Sequence, residues 1–296
     1  MIIQAMAKIN LVLEVMRKRS DGYHDLDTVF QSISLCDDLF IDMTDDGIFH
    51  LSVSEPGIPA GPENLVWRAW EALKRRFPGR VGGARVHLVK RIPHGAGLGG
   101  GSADAAAALR GLHALYLSDL SPDLLHEPAL EIGMDVPFCL RGGTALAAGR
   151  GEILTPLERR AEFQVLVVHP GFPISTREAY ASLDMSAGER AQRSGPVVQA
   201  LVSEKVDDLW PLLYNGFEGI LQERYPAVKE IRSRLLEGGC RAAVMTGSGS
   251  AVCGFASADQ DLRDLASSLK RTYPFAAITR PVHSGVVIQQ SAEYSA

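Results

Sequence analysis

Between residues 93 and 102 the chain reads Pro93-His94-Gly95-Ala96-Gly97-Leu98-Gly99-Gly100-Gly101-Ser102, and an alanine-rich segment follows directly. Five glycines in seven residues lose much backbone entropy when the chain folds. These glycines stand just before a hydroxyl residue and a strong helix-forming segment. Close approach of the backbone to a ligand explains this placement better than a merely flexible loop does. A helix N-terminus attracts phosphate groups, because its free N–H groups point outward and its dipole end is positive. The stretch therefore predicts a phosphate-binding loop followed directly by a helix over residues 102–117.

Two common nucleotide-binding loops share glycine spacing with this stretch. Gly95, Gly97 and Gly100 match the G-x-G-x-x-G dinucleotide fingerprint, which needs a strand that runs straight into the first glycine. Pro93 interrupts that entry, so we set the dinucleotide loop aside. The P-loop pattern G-x-x-x-x-G-K-[ST] needs a lysine where Gly101 stands. The phosphate charge must therefore be balanced by backbone N–H groups, a metal ion and basic residues from elsewhere in the chain.

Two side chains at the start of this helix have more than one interpretation. Ser102 could cap the helix, coordinate a phosphate-bound Mg²⁺ ion, or do both in turn. Asp104 is predicted to lie in the first turn, where a carboxylate interacts favourably with the helix dipole. We favour that accessory capping role for Asp104 over metal binding.

The composition limits the class of protein and of partner. The chain has 296 residues, of which 46% are hydrophobic and 22% charged, so it can bury a core in one large domain or two ordinary ones. Its formal net charge of −5 argues against nucleic acid as a partner, since a polyanion needs a basic surface. The four cysteines form no Cys-x-x-Cys pair, which favours reduced core thiols. With no leader and no apolar run of about 18 residues, we expect a cytoplasmic location and no membrane partner.

Hydrophobic periodicity predicts a mixed α/β protein. We predict strands over residues 9–15, 39–43, 48–53, 84–89, 143–148 and 164–169, and helices over 64–77, 102–117, 197–202, 209–222 and 227–237. A further helix begins with Ser121 as its cap and ends at Gly133, and Pro128 should kink or split it. Residues 186–195 are polar and aperiodic and predict a mobile surface loop. The charged stretch at 156–162 indicates a boundary between domains 1–158 and 159–296.

Three ordered motifs carry a resemblance that spans most of the chain. Pro93–Ala103 resembles the second motif of the GHMP kinases, the superfamily of galactokinase, homoserine kinase and mevalonate kinase. Ala7-Lys8-Ile9-Asn10-Leu11 is similar to the first motif, and Thr246-Gly247-Ser248-Gly249-Ser250-Ala251 to the third. The resemblance implies a two-domain α+β fold. Its N-terminal domain is like domain 2 of ribosomal protein S5, its C-terminal domain combines helices with a sheet, and the active cleft lies between them.

Further strings narrow the resemblance to one branch of that superfamily. They are Arg19-Ser20-Asp21-Gly22-Tyr23-His24, Gly133-Met134-Asp135-Val136-Pro137-Phe138 and Gly151-Glu152. They resemble the branch that acts on 4-diphosphocytidyl-2-C-methyl-D-erythritol, in the methylerythritol phosphate route to isoprenoid precursors. The resemblance implies that the γ-phosphoryl group of ATP passes to the 2-hydroxyl group of this small molecule. We expect the protein to act as a monomer or a weak homodimer.

The resemblance also implies the catalytic residues. Phosphoryl transfer is mainly positioning and charge stabilisation, with a carboxylate that accepts the hydroxyl proton. By resemblance Asp135 is that base, although a cap or turn aspartate after Gly133 would suit the same sequence. Lys8 stands between apolar neighbours in a predicted strand, and its ammonium group could reach Asp135 and orient it. Its alternative is a solvated lysine near the chain terminus.

Recognition of the two small molecules is implied in the same way. Tyr23 and Tyr180 would sandwich the cytosine ring and His24 would bond its edge, although the residues around Asp21-Gly22 alone indicate only a surface hairpin tip. Asn10, Thr176 and Asp135 would be further substrate contacts. For ATP, residues 93–103 would hold the phosphates with Mg²⁺ at Ser102, and Gly247, Ser248 and Gly249 would form a lip of the cleft. Asn64 and Lys90 would lie near the adenine, with a helix cap and a solvated lysine as their alternatives.

Two other functions stay open at this point. The first is another GHMP kinase, acting on homoserine, mevalonate or a sugar, which absence of the cytosine contacts would favour. The second is a catalytically silent binding or regulatory protein on the same fold, which loss of Lys8 or Asp135 would favour. Tyr23, His24 and Tyr180 are all present, and so are Lys8 and Asp135.

Overall fold

The computed structural model describes residues 1–183, 190–203 and 205–289. The strands are β1 (Ile2–Lys18), β2 (His24–Thr44), β3 (Phe49–Val53), β4 (Gly83–Val89), β5 (Thr144–Ala148), β6 (Ile153–Leu157), β7 (Phe163–His169), β8 (Tyr214–Asn215), β9 (Ala242–Met245), β10 (Val252–Ser257), β11 (Phe275–Thr279) and β12 (Val286–Gln289). The α-helices are α1 (Leu65–Arg76), α2 (Gly100–Tyr116), α3 (His126–Ile132), α4 (Val136–Arg141), α5 (Thr176–Ser182), α6 (Ser194–Val202), α7 (Glu218–Arg224), α8 (Pro226–Glu237) and α9 (Arg263–Lys270). Short 3-10 helices cover Pro122–Leu125, Val206–Asp208 and Trp210–Leu212.

The larger sheet is built around the long antiparallel hairpin of β1 and β2. β2 pairs with β4 at its C-terminal end and with β5 near its N-terminal end, while β3 adds to β4 and β6 adds to β5. β12 and β8 pair with β1, so residues from late in the chain complete this sheet. The hairpin therefore links the two halves of the sequence, and its tip lies at residues 19–23.

The smaller sheet has the antiparallel order β11-β7-β10-β9. Its central strands β7 and β10 are buried along most of their length, and α8 and α9 pack against the sheet. Both sheets consist mainly of antiparallel strand pairs, and helices pack against them. The protein therefore has the predicted α+β fold. The proposed division into residues 1–158 and 159–296 stays a prediction.

Helix α2 is the central element of the larger sheet's core. The run Ala105–Ala108 is fully buried, because α2 packs against β1 on one side and against α1 and α4 on others. Small side chains let these elements approach closely. Gly111 continues this close contact, since its Cα faces the side chains of Ile3 in β1 and Ile41 in β2.

Each predicted strand is present, and the helix predictions are mostly confirmed. The predicted helix over 209–222 is wrong in its first half, where a 3-10 turn, β8 and a turn precede α7. Pro211 and Gly216 oppose a continuous helix there. Pro128 does not break its helix, because it is the third residue of α3, where the N–H group that proline lacks has no helical partner. The helix divides earlier, between the 3-10 turn ending at Leu125 and α3.

The segment 186–195 was expected to be a surface loop. Residues 186–189 lie outside the described part of the chain. Its last two residues, Ser194 and Gly195, instead begin α6. Among the helices of the described ranges, none is long and apolar enough to cross a membrane.

The packing of α2 leads to a prediction at Gly111. A methyl group there would lie 2.6 Å from Ile41 Cδ1 and closer still to Ile3 Cδ1, and both side chains are fully buried. Overpacking of about 1–3 kcal/mol should outweigh the gain in helix propensity of about 0.5–1 kcal/mol. We therefore expect Gly111→Ala to lower the free energy of unfolding, measured by chemical denaturation.

The matched control is Gly219→Ala in α7, where an added Cβ would meet no atom within 4 Å. That variant should be as stable as the parent or more stable, by up to about 1 kcal/mol. A Gly111→Ala protein as stable as the parent would contradict this account of the α2 packing.

Candidate active site

The predicted site residues converge on one cleft of about 980 Å³. Of the residues predicted to catalyse the reaction or to bind ATP, Mg²⁺ or substrate, only Ala103 and Gly249 do not line it. Ala96 and Leu98 line it although both residues are almost fully buried. The sequence motifs, far apart along the chain, therefore describe a single site.

The head of α2 faces this cleft without a side-chain cap. Gly99 is the N-cap residue, its φ is +68°, and no side-chain hydrogen bond closes the helix there. The N–H of Ala103 makes the first bond back to the Gly99 carbonyl, so the N–H groups before it are free to bind an anion. Of the roles left open for Ser102, capping is wrong, because α2 begins at Gly100 and Ser102 is already its third residue.

The two glycine-rich loops touch through their backbones. The Ala251 N–H donates to the Ala96 carbonyl at 3.1 Å. A Cβ at Gly97 would overlap the Thr246 carbonyl, and one at Gly247 would lie 2.8 Å from the Gly97 carbonyl oxygen. Both glycines have positive φ, at +79° and +56°. Glycine is needed at both positions, because any side chain would separate the loops and widen the cleft.

The sequence analysis did not single out Asn215, which holds the second of these loops. Its Nδ2 donates to the Met245 carbonyl at 2.7 Å and to the Gly247 carbonyl at 2.8 Å, and its Oδ1 accepts from the Phe217 N–H. Asn215 is 3% exposed. The Asn-Gly pair at residues 215–216 was the available signal, since this dipeptide marks turns and argued against the predicted helix.

Lys8 is buried beside Asp135 and is not a solvated lysine. Its Nζ lies 3.4 Å from Asp135 Oδ2, 4.8 Å from the centre of the Phe30 ring, and donates to Asn10 Oδ1 at 3.1 Å. The Lys8 N–H also donates to the Leu98 carbonyl at 2.9 Å, so the glycine-rich loop lies against this part of β1. In this low-dielectric surrounding the two opposite charges attract each other more strongly than they would in water.

Asp135 occupies the N-cap position of α4, yet its side chain makes no capping hydrogen bond. The carboxylate instead faces Lys8 and keeps 33% of its surface exposed. The capping alternative for Asp135 is therefore wrong, and the group can be reached from the cleft. Asn10 is 3% exposed and its amide is used inside the protein, because Nδ2 donates to Thr28 Oγ1 at 2.8 Å while Oδ1 accepts from Lys8.

Asn64 and Lys90 lie on the side of the cleft near α1. Asn64 caps α1, as its alternative interpretation held, because its Oδ1 accepts from the Val66 N–H at 2.9 Å. Lys90 is not solvated, because its ammonium group is buried between Asp37 and Asp104. Asp104 is the fifth residue of α2, so its predicted place in the first turn is wrong.

The electrostatics of this buried group keep a positive charge beside the head of α2. Burial alone would lower the pKa of Lys90, but the neighbouring carboxylates of Asp104 and Asp37 raise it overall. Burial raises the pKa of Asp104, with Asp37 adding to the rise and Lys90 opposing it.

The aromatic residues form the opposite end of the cleft, where the tip of the β1–β2 hairpin meets α5. The His24 ring stacks on the Tyr180 ring with centroids 4.7 Å apart, and the Phe217 ring meets Tyr180 edge-on at 5.0 Å. Tyr23 is 53% exposed and the Arg150 guanidinium lies 4.9 Å from its ring centre. The structure thus brings His24 against Tyr180 and places Tyr23 beside Arg150.

The charge states at this end follow from burial. Burial, with Lys18 nearby, lowers the pKa of His24, so its imidazole is neutral at pH 7. Burial raises the pKa of Tyr180 to about 12, helped by the charge of Asp135, so its phenol stays protonated. Both rings can therefore take part in stacking and hydrogen bonding without a charge of their own.

Other cleft residues escaped the sequence analysis. Arg150 and Arg177 line the cleft and bring positive charge to it. Gly149 and Gly151 around Arg150 are the only local signal for that turn. Thr176, a predicted contact, begins α5, and its hydroxyl lies 3.2 Å from that of Ser248, which joins α5 to the second glycine-rich loop.

Within residues 1–183, 190–203 and 205–289, no cluster of three or more His, Cys, Asp or Glu side chains could hold a metal ion. A magnesium ion does not require one, since it commonly takes one or two protein oxygens together with water and substrate phosphates. Ser102, whose hydroxyl does not cap α2 and which lines the cleft, offers such an oxygen.

Comparison with known proteins assigns the family. The model for the GHMP kinases N terminal domain matches residues 64–143, and the model for the GHMP kinases C terminal domain matches residues 197–274. The 4-diphosphocytidyl-2-C-methyl-D-erythritol kinase of Moorella thermoacetica is 43% identical over 283 residues, covering 94% of this chain and 98% of that protein. The same enzyme of Pelotomaculum thermopropionicum is 41% identical over 282 residues, covering 95% and 98%.

Solved structures agree with the sequence relatives. A crystal structure of 4-(cytidine 5'-diphospho)-2C-methyl-D-erythritol kinase superposes with a TM-score of 0.80 at 35% identity, covering 95% of this chain and 99% of the other. A homoserine kinase from Cytophaga hutchinsonii superposes with a TM-score of 0.76 over 97% of both chains, but at 14% identity it shows the common fold alone. The chain therefore belongs to the GHMP kinases, and within them to the family of 4-diphosphocytidyl-2-C-methyl-D-erythritol kinases.

Proposed function

We propose that this chain transfers the γ-phosphoryl group of ATP to the 2-hydroxyl group of 4-diphosphocytidyl-2-C-methyl-D-erythritol, giving the 2-phosphate and ADP. The observation that carries the proposal is the pairing of Lys8 with Asp135 in a cleft that has an uncapped helix head at one end and aromatic rings at the other. The first end would bind the phosphates of a nucleoside triphosphate, and the second end would bind a pyrimidine ring. We expect the reaction to take place in the cytoplasm, in a monomer or weak homodimer.

The helix end of the cleft suits the phosphates of ATP. The free N–H groups of Gly100, Gly101 and Ser102 and the positive end of the α2 dipole would bind phosphate oxygens. Lys90 adds a buried positive charge near the same turn. These groups replace the lysine that a P-loop carries. A Mg²⁺ ion held by the Ser102 hydroxyl and the phosphates would neutralise part of the charge on the transferred group.

The Lys8–Asp135 pair suits the transfer step. Asp135 would accept the proton of the 2-hydroxyl group as its oxygen forms a bond to the γ-phosphorus and the bond to ADP breaks. Lys8 would hold the carboxylate in its orientation, and Asn10 in turn holds Lys8 through a 3.1 Å hydrogen bond. This arrangement assigns Asn10 to positioning, because its side-chain amide and its backbone N–H already have partners inside the protein.

The aromatic end suits the cytosine ring. Tyr23 and Tyr180 offer ring faces, and the neutral His24 imidazole offers a donor and an acceptor for the edge of the base. His24 rests on Tyr180, so a base that stacks on Tyr180 would displace or extend this ring pair. Thr176, on the same helix as Tyr180, also lines the cleft and would be a further contact for the conjugate.

The choice of acceptor is the first test of this function. We expect ATP-dependent ADP release with the cytidine diphosphate conjugate of methylerythritol and none above background with homoserine, mevalonate or galactose. The assay is coupled detection of ADP with each acceptor alone. Turnover on any of the other three without turnover on the conjugate would refute the acceptor and leave a kinase of another specificity.

The role of Asp135 gives a second prediction. Asp135→Asn should lower kcat by about 10²–10⁴, the usual contribution of a general base, while the thermal unfolding midpoint and ADP affinity change little. Asp259→Asn, an exposed carboxylate in the turn after β10, is the matched control and should keep full turnover. Near-parental turnover by Asp135→Asn would remove Asp135 from the reaction.

Tyr180 gives a third prediction. Tyr180→Phe keeps the ring and should leave the KM for the conjugate within about threefold. Tyr180→Leu loses the ring and should raise it roughly tenfold, as expected from a stacking contribution of about 1–3 kcal/mol per base. The KM for ATP serves as the internal control and should not change in either variant. Equal KM values for the conjugate in the Phe and Leu variants would argue against stacking at this position.

A further inference from the structure

A buried group of charges lies at the base of the glycine-rich loop. Lys90 ends the segment that leads into the loop, Asp104 lies in α2 just after it, and Asp37 lies in β2. The Lys90 ammonium group pairs with Asp37 Oδ2 and, at 2.6 Å, with Asp104 Oδ2. At most 6% of each of the three side chains is exposed. The two ends of the loop are thus joined through one ammonium group.

Asp37 also binds the backbone at the entry of the loop. Its Oδ1 accepts from the Ile92 N–H at 2.8 Å and from the Arg91 N–H, while its Oδ2 accepts from Lys90. Three donors therefore converge on one fully buried carboxylate that belongs to the central hairpin. Pro93 follows directly, so Asp37 holds the last residues before the loop leaves the sheet.

The other side of this group reaches the head of α2. A Cβ at Gly100 would lie 3.4 Å from Lys90 Nζ, so the ammonium group sits beside the first turn of the helix. Lys90 and Asp104 both line the cleft. A shift of Lys90 by an ångström would move both the cation and the loop entry relative to the free N–H groups of α2.

We propose that Asp37, through Lys90 and Asp104, forms a clasp that fixes the shape of the glycine-rich loop and thereby the position of the ATP phosphates. Asp37 and Asp104 are positioning residues, since they act through Lys90 and the loop backbone. The proposal rests on the proposed function only in taking ATP as the ligand of this loop. It makes no demand on the identity of the acceptor.

The test compares carboxylate-to-amide changes inside and beside the clasp. Asp37→Asn leaves one acceptor oxygen for three donors, so either Lys90 or the loop backbone loses its partner. The loop then keeps its binding shape for only a fraction of the time, and the apparent affinity falls by that fraction, so the KM for ATP and the Kd for ADP should rise about tenfold. The KM for the conjugate should stay within about twofold, because the aromatic end is untouched.

Two variants of Asp104 test whether it acts by accepting a hydrogen bond from Lys90. Asp104→Asn keeps an oxygen that can accept from Lys90, whereas Asp104→Ala removes it, so the alanine variant should raise the KM for ATP several-fold more than the asparagine variant. Asp38→Asn is the matched control. Asp38 is the next residue along β2, its side chain is 14% exposed, and it pairs with the half-exposed Arg91 guanidinium. The Asn variant keeps an oxygen for that guanidinium and leaves Lys90 untouched, so it should leave the KM for ATP within about twofold.

Thermal unfolding and circular dichroism of each variant precede the kinetics. If Asp37→Asn does not fold, the comparison of Asp104→Asn with Asp104→Ala tests the proposal, because the two variants differ in the oxygen that accepts from Lys90. The clasp is refuted if Asp37→Asn binds ADP like the parent, if both KM values rise equally, or if Asp38→Asn matches Asp37→Asn. Failure of the parent protein to bind ADP would instead refute the proposed function, which separates the two outcomes.

Discussion

The close approach of two backbones at Gly97 and Gly247 is the constraint on which the rest of the site depends. Neither position has room for a Cβ, and both have positive φ. Their contact brings the loop at the head of α2 to the loop between β9 and β10, and so joins the larger sheet to the smaller one. Asn215 reinforces the contact by binding two carbonyl groups of the second loop. The cleft exists because these backbones meet.

Strand β1 supplies the chemistry that this contact encloses. Lys8 and Asn10 are two residues apart and point to the same face of the strand, so the amide can hold the ammonium group in place. The glycine-rich loop covers Lys8 through the Leu98 carbonyl, and Asp135 arrives from the start of α4. Because water is largely excluded around Lys8, its charge orients Asp135 more firmly than it would at the surface.

The aromatic end of the cleft has a different origin. His24 is the first residue of β2, next to the hairpin tip, whereas Tyr180 comes from α5 in the second half of the chain. Their stacking therefore depends on how the two halves pack together. The cation of Arg150 over Tyr23 adds a charged group beside these rings, and it lies in a turn that no helix or strand pattern would single out.

The sequence by itself predicted a mixed α/β protein, the glycine-rich loop and the helix that follows it, and the resemblance of its ordered motifs implied the α+β fold and the family to which the chain belongs. These are local patterns, and hydrophobic period, glycine spacing and motif order can be read without knowing any contact. Only the tertiary structure decided that Lys8 is buried against Asp135, that Lys90 bridges Asp37 and Asp104, and that Asn215 supports a loop rather than continuing a helix. Each of those results joins residues far apart in the chain. Their contacts follow from strand register and from the packing of α2, and neither leaves a signal in the neighbouring residues.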